Sequence, residues 1–153
     1  MRPFTKVHKE FWTCPKYWAL PSDNDRWGYD YLYTSPHQTM AGVFTLPAGY
    51  GASDIRWSID RFSKMVCNVQ KAGLIEHDSD TEEFWIVDWF VWNGPKNNPK
   101  HCVAIEKILA RVRSPAVRTA AANGYGLHRR QFDALGEVDE GIVALDAMRN
   151  KHK

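Results

Sequence analysis

The sequence has no apolar run that approaches the roughly 18 residues a membrane-spanning helix needs. Its first six residues also lack the apolar stretch of a signal peptide. These two absences predict a cytoplasmic protein that does not contact membranes.

The sequence also has little that would support catalysis or metal binding. Its three cysteines (Cys14, Cys67 and Cys102) are far apart, and no CxxC or HxxxH spacing is present. The six histidines are scattered, the acids form no convincing dyad, and no glycine-rich phosphate loop occurs. The sequence therefore predicts no metal site, no cofactor and no enzymatic activity.

Aromatic residues and an uneven charge distribution are what the sequence does have. Phe, Trp and Tyr make up 13% of its 153 residues. The formal net charge is only +2, yet residues 94–130 hold 8 Lys/Arg and a single acid, Glu106. We call residues 94–130 the basic segment. Polyanions are its natural partners, although such a run can also be the solvated face of a helix.

Caps, apolar periodicity and turn residues predict the order of elements. The first helix is expected to place Trp27, Tyr31 and Leu32 on its inner face. Ser58 should cap the strongest helix, and Gly73 should end it. The elements are a helix over 25–34, a strand over 42–47, a helix from 47 to about 56, a helix over 58–72, and a hairpin with strands beginning at 74 and running over 83–92. This order predicts an α+β fold of the winged helix-turn-helix type.

A composition change after residue 93 predicts the domain organisation. Residues 1–93 would form the winged helix domain with an N-terminal aromatic arm. Residues 94–100, rich in Pro, Gly and Asn, would form a linker. Residues 101–153 would form a helical, basic extension with helices near 101–112, 115–122, 127–135 and 138–149, and a turn at 123–126.

Several ordered motifs between residues 9 and 118 carry a family resemblance. They are Phe11-Trp12, 31–37 (YLYTSPH), 41–47 (AGVFTLP), 72–75 (AGLI), 88–93 (DWFVWN), 96–100 (KNNPK) and Ser114-Pro115. In this set the sequence resembles the N-terminal domain of phage replisome-organiser proteins, which are related to DnaD-like replication-initiation proteins. The resemblance implies a winged helix, origin-DNA binding during replication initiation, no catalysis, and a place in the cytoplasm of a phage-infected or bacterial host cell. Gly49 and Gly51 depart from the family, which carries bulkier helix formers there.

In a winged helix the second helix of the pair enters the major groove, so helix 58–72 supplies the predicted DNA contacts. Arg61 is the expected base reader, because a guanidinium pairs bidentately with guanine. The predicted contacts on and before this helix are Arg56, Ser58, Arg61, Lys64, Asn68 and Lys71; those to the phosphate backbone from the basic segment are Lys96, Lys100, Lys107, Arg111 and Arg113. The alternative is that these are ordinary solvated side chains.

The tip of the hairpin is acidic, since Asp78, Asp80, Glu82 and Glu83 fall within six residues. Phosphate should repel such a tip, which leaves open a second function class. In that alternative the protein is a winged helix interaction module, such as a phage-encoded inhibitor or adaptor of a host nucleic-acid machine. Its interface would combine the acids Asp78, Asp80 and Glu82 with the aromatic residues Tyr17, Trp85 and Trp89. Whether the protein forms a homodimer stays open.

Overall fold

The computed structural model describes residues 3–134, and within them the architecture is α+β. A short 3-10 helix, Lys9–Thr13, precedes the first α-helix. The elements are α1 (Pro15–Trp18), α2 (Asp23–Thr34), β1 (Val43–Thr45), α3 (Ala48–Asp54), α4 (Ile59–Lys71), β2 (Ile75–Asp78), β3 (Glu83–Ile86), α5 (Trp89–Asn93), α6 (Pro99–Ala110) and α7 (Pro115–Ala134). The helix predicted at 138–149 and the end of the one at 127–135 lie outside the described residues.

The three strands form an antiparallel sheet in the order β1-β3-β2. Phe44 and His77 both pair with Phe84, so these side chains share one face of the sheet. That face packs toward α4, where Phe84 and Phe62 line a common groove. Trp85 points to the other face, which α7 covers. All four residues of β3 are buried because helices lie on both sides of it.

Helices α2 and α4 pack closely, and each begins at a serine whose hydroxyl accepts a backbone N–H bond, as Ser58 does from Arg61. The helices meet where Gly28 leaves room for the side chain of Met65. This contact turns Tyr29 and Leu32 inward. The prediction that Trp27 lies on the inner face is therefore wrong, since Trp27 is 58% exposed.

The second hairpin strand is shorter than its sequence predicts. Strand β3 ends at Ile86, Asp88 adopts a left-handed backbone (φ 63°), and residues 89–93 form α5. A short apolar run is compatible with either a strand or a buried helix, and here the left-handed residue ends the strand. The turn predicted at 123–126 is also wrong, because α7 continues through it. Gly124 lies against the indole of Trp85, so it serves helix-to-sheet packing instead of a turn.

The division into a winged helix domain, a linker at 94–100 and a separate extension needs correction. Ile105, Val117 and Tyr125, from the predicted extension, belong to the same buried cluster as Phe62 and Trp89. Helix α7 reaches β2, β3 and α5, and α6 packs on α7. The apolar face of α7 is thus buried on the sheet and that of α6 against α7, and the described residues share one continuous core.

The two glycines of α3, Gly49 and Gly51, should respond oppositely to alanine. A Cβ at Gly51 would collide with the ring of Phe62, whereas the nearest atom to one at Gly49 is Ile59 Cδ1 at 3.9 Å. Alanine gains roughly 1 kcal/mol of helix propensity over glycine at either position. Overpacking at Gly51 costs about 1–3 kcal/mol, which outweighs that gain. We expect Gly51→Ala to lower the free energy of unfolding and Gly49→Ala to raise it, as measured by urea denaturation. Stabilisation by both changes would contradict the close α3–α4 contact.

Candidate nucleic-acid interface

The outward side of α4 presents to solvent three of the four DNA contacts predicted within this helix. Arg61, Lys64 and Lys71 are exposed, while Phe62, Met65, Val66 and Val69 bury the opposite side. Lys64 and Lys71 are seven residues apart, about two helical turns, so they share one side of the helix. Among the described residues, no carboxylate oxygen lies within ion-pairing distance of either ammonium group. These lysines therefore form an accessible cationic row.

Arg61, the predicted base reader, is held by two neighbours. Its Nη2 donates a hydrogen bond to Asn24 Oδ1 at 2.5 Å, and its Cζ lies 3.9 Å from the centroid of the Trp57 ring. The guanidinium is therefore fixed between α2 and the turn before α4. The role of Arg61 as a base reader stays a prediction.

Asn68 has a structural role in place of the predicted DNA contact. Its Nδ2 donates to Asp25 Oδ1 at 3.1 Å, and Asp25 is a buried carboxylate that also accepts from the Ser22 hydroxyl at 2.7 Å. This arrangement satisfies a charge that would otherwise be costly to bury. The amide of Asn68 thus joins α4 to α2.

Arg56 lies in the turn that connects α3 to α4. It is exposed and has a left-handed backbone (φ 58°), which non-glycine residues adopt infrequently. The turn is closed by the Trp57 backbone N–H, which donates to the Ala52 carbonyl at 2.8 Å. Arg56 and Ser58 therefore flank the N-terminal end of α4.

The predicted contacts in the basic segment lie on the other side of the sheet from α4. They are exposed and belong to α6 and its flanks: Lys96, Lys100, Lys107, Arg111 and Arg113. Arg113 is the most constrained, because its Nη2 donates to the Thr81 carbonyl at 2.8 Å. With the sheet between them, the α4 cations and the basic segment are two separate basic surfaces.

The acidic hairpin tip is fastened to the start of α7. The buried carboxylate of Glu83 accepts hydrogen bonds from the backbone N–H groups of Arg113, at 3.0 and 3.1 Å, and Ser114, at 2.7 Å. Asp78 accepts from the Asp80 N–H at 2.9 Å, and its pKa is lowered chiefly by a hydrogen bond with the Ser114 side chain. Asp80 and Glu82 remain exposed at the tip, as the sequence predicts.

The aromatic half of the predicted partner interface is buried. Tyr17, Trp85 and Trp89 are 3%, 6% and 0% exposed. Trp89 donates from Nε1 to the Met40 carbonyl at 2.9 Å, and Trp85 lies under α7. The correction has a simple physical reason: these large rings fill the space between the sheet and its helices. Only Asp78, Asp80 and Glu82 remain from the predicted interface.

A groove of about 350 Å³ separates α4 from the hairpin. Its floor is apolar, with Phe62 and Val66, and its rim carries Cys67 and Glu82. His77 is partly buried there against the Phe84 ring, at a centroid distance of 4.1 Å, and this burial lowers its pKa. Burial therefore favours the neutral form of this imidazole.

A second cluster fastens α2 to α3 at the surface. Asp54 Oδ2 accepts from the Tyr31 hydroxyl at 2.6 Å and lies 2.9 Å from His37 Nε2. These hydrogen bonds lower the pKa of Asp54. The pKa of Tyr31 is raised, chiefly by burial and to a lesser extent by its hydrogen bond to Asp54. The cluster holds the first helix of the α3–α4 pair in position.

A larger cleft of about 490 Å³ lies beneath the N-terminal arm. Its walls are largely aromatic and include Phe11, Tyr29 and Trp92. Gly73, just after α4, lines the cleft, but the outward row of Lys64 and Lys71 does not. Within residues 3–134, no helix is long and apolar enough to cross a membrane, and no group of His, Cys, Asp or Glu side chains could hold a metal ion.

Sequence reasoning missed three residues beside the N-terminal end of α4: Asn24, Trp27 and Trp57. The sequence predicts Trp27 on the inner face of the first helix, and the predicted contacts around α4 do not include Trp57. One signal was available, because Trp57 and Arg61 are four residues apart and can meet on one side of a helix start. No sequence pattern points to Asn24, whose contact spans 37 positions.

No protein-family model, curated protein or solved structure matches this chain.

Proposed function

We propose that the protein binds duplex DNA as a winged helix-turn-helix protein, with α3 and α4 as the helix pair and α4 as the recognition helix. The order helix, strand, helix, helix, hairpin supports this assignment, as does the pairing of β1 with β3, the second strand of the hairpin. The hairpin β2–β3 takes the position of the wing. The resemblance noted in the sequence favours replication initiation as the setting.

The accessible cationic row of Lys64 and Lys71 is the observation that carries this proposal. A helix with a capped N-terminus whose outward lysines have no ion-pair partner within residues 3–134 offers phosphate contacts at low desolvation cost. Arg56 and Arg61 extend this cationic region around the start of α4. The acidic tip keeps the wing away from the phosphates, so the helix bears most of the binding.

The basic segment adds a second contact region on the far side of the sheet. Lys107 and Arg111 are exposed on successive turns of α6 and its cap. A straight duplex lying along α4 does not reach them, because the sheet lies between. DNA that bends around the protein, or a second duplex, would contact both surfaces.

Charge reversal on α4 tests the proposal. We expect the double change Lys64→Glu and Lys71→Glu to weaken duplex binding by at least about a hundredfold, because two attractions become repulsions. In the milder pair Lys64→Ala and Lys71→Ala, the slope of log Kd against log salt should fall by roughly 2, about 1 for each lost phosphate contact. Fluorescence anisotropy of a labelled duplex, titrated at several salt concentrations, measures both quantities.

Two matched variants sharpen this experiment. Lys6→Glu with Lys9→Glu makes the same change of charge on the exposed N-terminal arm, and should have a small effect. Lys107→Glu with Arg111→Glu reports separately on the basic segment. Absence of wild-type binding at low salt would refute DNA binding, and equal losses in the α4 and arm pairs would refute α4 as the contact.

A protein-interaction role is the second candidate, and the exposed acids Asp80 and Glu82 beside the α4 groove favour it. A partner for this tip would be basic, since the groove floor is apolar and its rim is acidic. The same titration separates the candidates: this role gains support if the protein fails to bind duplex at low salt while its fold is intact.

A further inference from the structure

An exposed tryptophan, Trp27, and a half-buried one, Trp57, lie beside the N-terminal end of α4. Trp27 projects from α2 with 58% of its surface exposed, and Trp57 lies in the turn before α4. Their rings meet edge to face, with centroids 5.8 Å apart and planes at 90°. This arrangement is a favoured geometry for aromatic pairs, so Trp57 supports Trp27 while leaving much of its ring in solvent.

A guanidinium completes this surface. The Cζ atom of Arg61 lies 3.9 Å from the centroid of the Trp57 ring, and Nη2 of the same guanidinium donates a hydrogen bond to Asn24 Oδ1. The indole of Trp57 and the guanidinium of Arg61 are therefore held in place before any ligand binds, which lowers the entropy cost of binding. We call Trp27, Trp57 and Arg61 the tryptophan surface.

Unpaired cations outnumber unpaired acids around the tryptophan surface. Among the described residues, Arg56, Arg61 and Lys64 have no carboxylate within ion-pairing distance, and Asp60 is the exposed acid there without a cationic partner. The other nearby acids have partners: Asp23 pairs with Arg26 at 2.6 Å, Asp54 is hydrogen-bonded to Tyr31 and His37, and the buried Asp25 is hydrogen-bonded to Asn68. An exposed indole beside these cations suits a ligand that has both π-faces and phosphates.

We infer that the tryptophan surface binds unpaired nucleotides, with one base stacking on Trp27 and the adjoining phosphate held by Arg61 and its neighbouring cations. Bases stack on tryptophan and on guanidinium planes in proteins that bind single strands. Bases in an intact duplex are already stacked on each other, so Trp27 cannot reach them. This inference rests on the proposed function and specifies that the bound DNA is single-stranded or opened beside α4.

The test compares single-stranded and duplex binding by the full chain and one variant. The probes are a labelled oligo-dT and a labelled duplex of equal length, followed by anisotropy at several salt concentrations. We expect Trp27→Ala to weaken oligo-dT binding by about tenfold or more while changing duplex binding little. The loss should be similar at every salt concentration, because stacking releases no counterions. Lys64→Ala should instead flatten the salt dependence.

Trp12→Ala is the matched control, since Trp12 is 54% exposed on the N-terminal arm. It should leave oligo-dT affinity unchanged, and Trp27→Phe, which keeps a smaller ring, should retain part of it. Equal oligo-dT affinity in Trp27→Ala and the wild type would overturn the inference, as would a wild type that binds duplex but not oligo-dT. A wild-type dimer that becomes monomeric in Trp27→Ala, without oligo-dT binding, would assign the surface to self-association and also overturn it. A wild type that binds oligo-dT but not the duplex would instead count against the proposed function.

Discussion

The change Glu83→Gln is expected to destabilise the protein by about 3 kcal/mol, although it preserves the size of the side chain. Glu83 is 4% exposed, and both of its carboxylate oxygens accept backbone N–H bonds from Arg113 and Ser114. Hydrogen bonds to a charged group contribute roughly 1.5–3 kcal/mol each. In glutamine one of those oxygens becomes an NH₂ donor that faces other donors, so at least one bond is lost and one repulsive contact is gained.

The position of these bonds explains why one carboxylate has so large an effect. Arg113 and Ser114 immediately precede α7, whose first N–H groups have no partner within the helix. A buried negative charge there satisfies the adjoining donors and interacts favourably with the helix dipole. It also joins the tip of the hairpin to the helix that covers the sheet. Loss of the charge should therefore loosen α7 and the hairpin together.

Thermal and urea denaturation measure this effect, with Glu82→Gln as the control. Glu82 is the neighbouring residue, and it is exposed. Its change should alter the free energy of unfolding by less than about 0.5 kcal/mol. For a chain of this size, 3 kcal/mol corresponds to a fall in Tm of roughly 6–12 °C. Similar Tm values for the two variants would mean that Glu83 does not hold α7.

The sequence patterns predict the helices and the hairpin well where local signals act alone. Ser58 caps α4, and the three-and-four spacing of Phe62, Met65, Val66 and Val69 identifies its buried side. Local capping and amphipathic periodicity depend only on near neighbours, so they can be read without knowing the fold. The α+β class follows from the order of these elements.

Predictions failed where a distant contact decides the outcome. The inner face of α2 is set by the approach of Met65 to Gly28, and α7 continues through Gly124 because Trp85 packs against it. In both cases the sequence shows a glycine, which locally suggests a turn or a weakened helix. The reason for each glycine is a side chain 37 or more positions away, which no local pattern reveals.

The candidate site was foreseen only in part. Lys64 and Lys71 are exposed on α4, as the amphipathic pattern predicts. Asn68 looks equally solvent-facing in sequence, yet it is committed to the buried Asp25. The aromatic residues cannot be sorted by type alone, since Trp89 is fully buried and Trp27 is largely exposed. The lysines are therefore a better guide to this surface than aromatic character, although the buried carboxylates Asp25 and Glu83 show that charge alone does not decide exposure.

The change Trp89→Ala is expected to be the most damaging single truncation, at about 3–5 kcal/mol, the usual cost for a buried tryptophan. Trp89 is 0% exposed, its ring packs on Tyr33 at 5.5 Å, and its Nε1 bonds the Met40 carbonyl. Gly42 has a left-handed backbone directly against the indole, where no side chain would fit. Removing the ring leaves a cavity bounded by this loop and loses the bond that fixes it.

The alternative role for Trp89, a contact between protomers or with a partner, makes the opposite prediction. An interface tryptophan could be truncated with little effect on the folded monomer, and the wild-type Tm would rise with protein concentration. We expect the wild-type Tm to be independent of protein concentration. The Tm should fall by a large amount in Trp89→Ala. It should fall less in Trp89→Phe, which keeps most of the buried apolar surface but loses the hydrogen bond to the Met40 carbonyl. Trp27→Ala is the control, because its exposed ring should cost less than about 1 kcal/mol. A Trp89→Ala variant that unfolds at the wild-type temperature would contradict the buried role of Trp89. It would instead support the aromatic half of the interface that the sequence suggests.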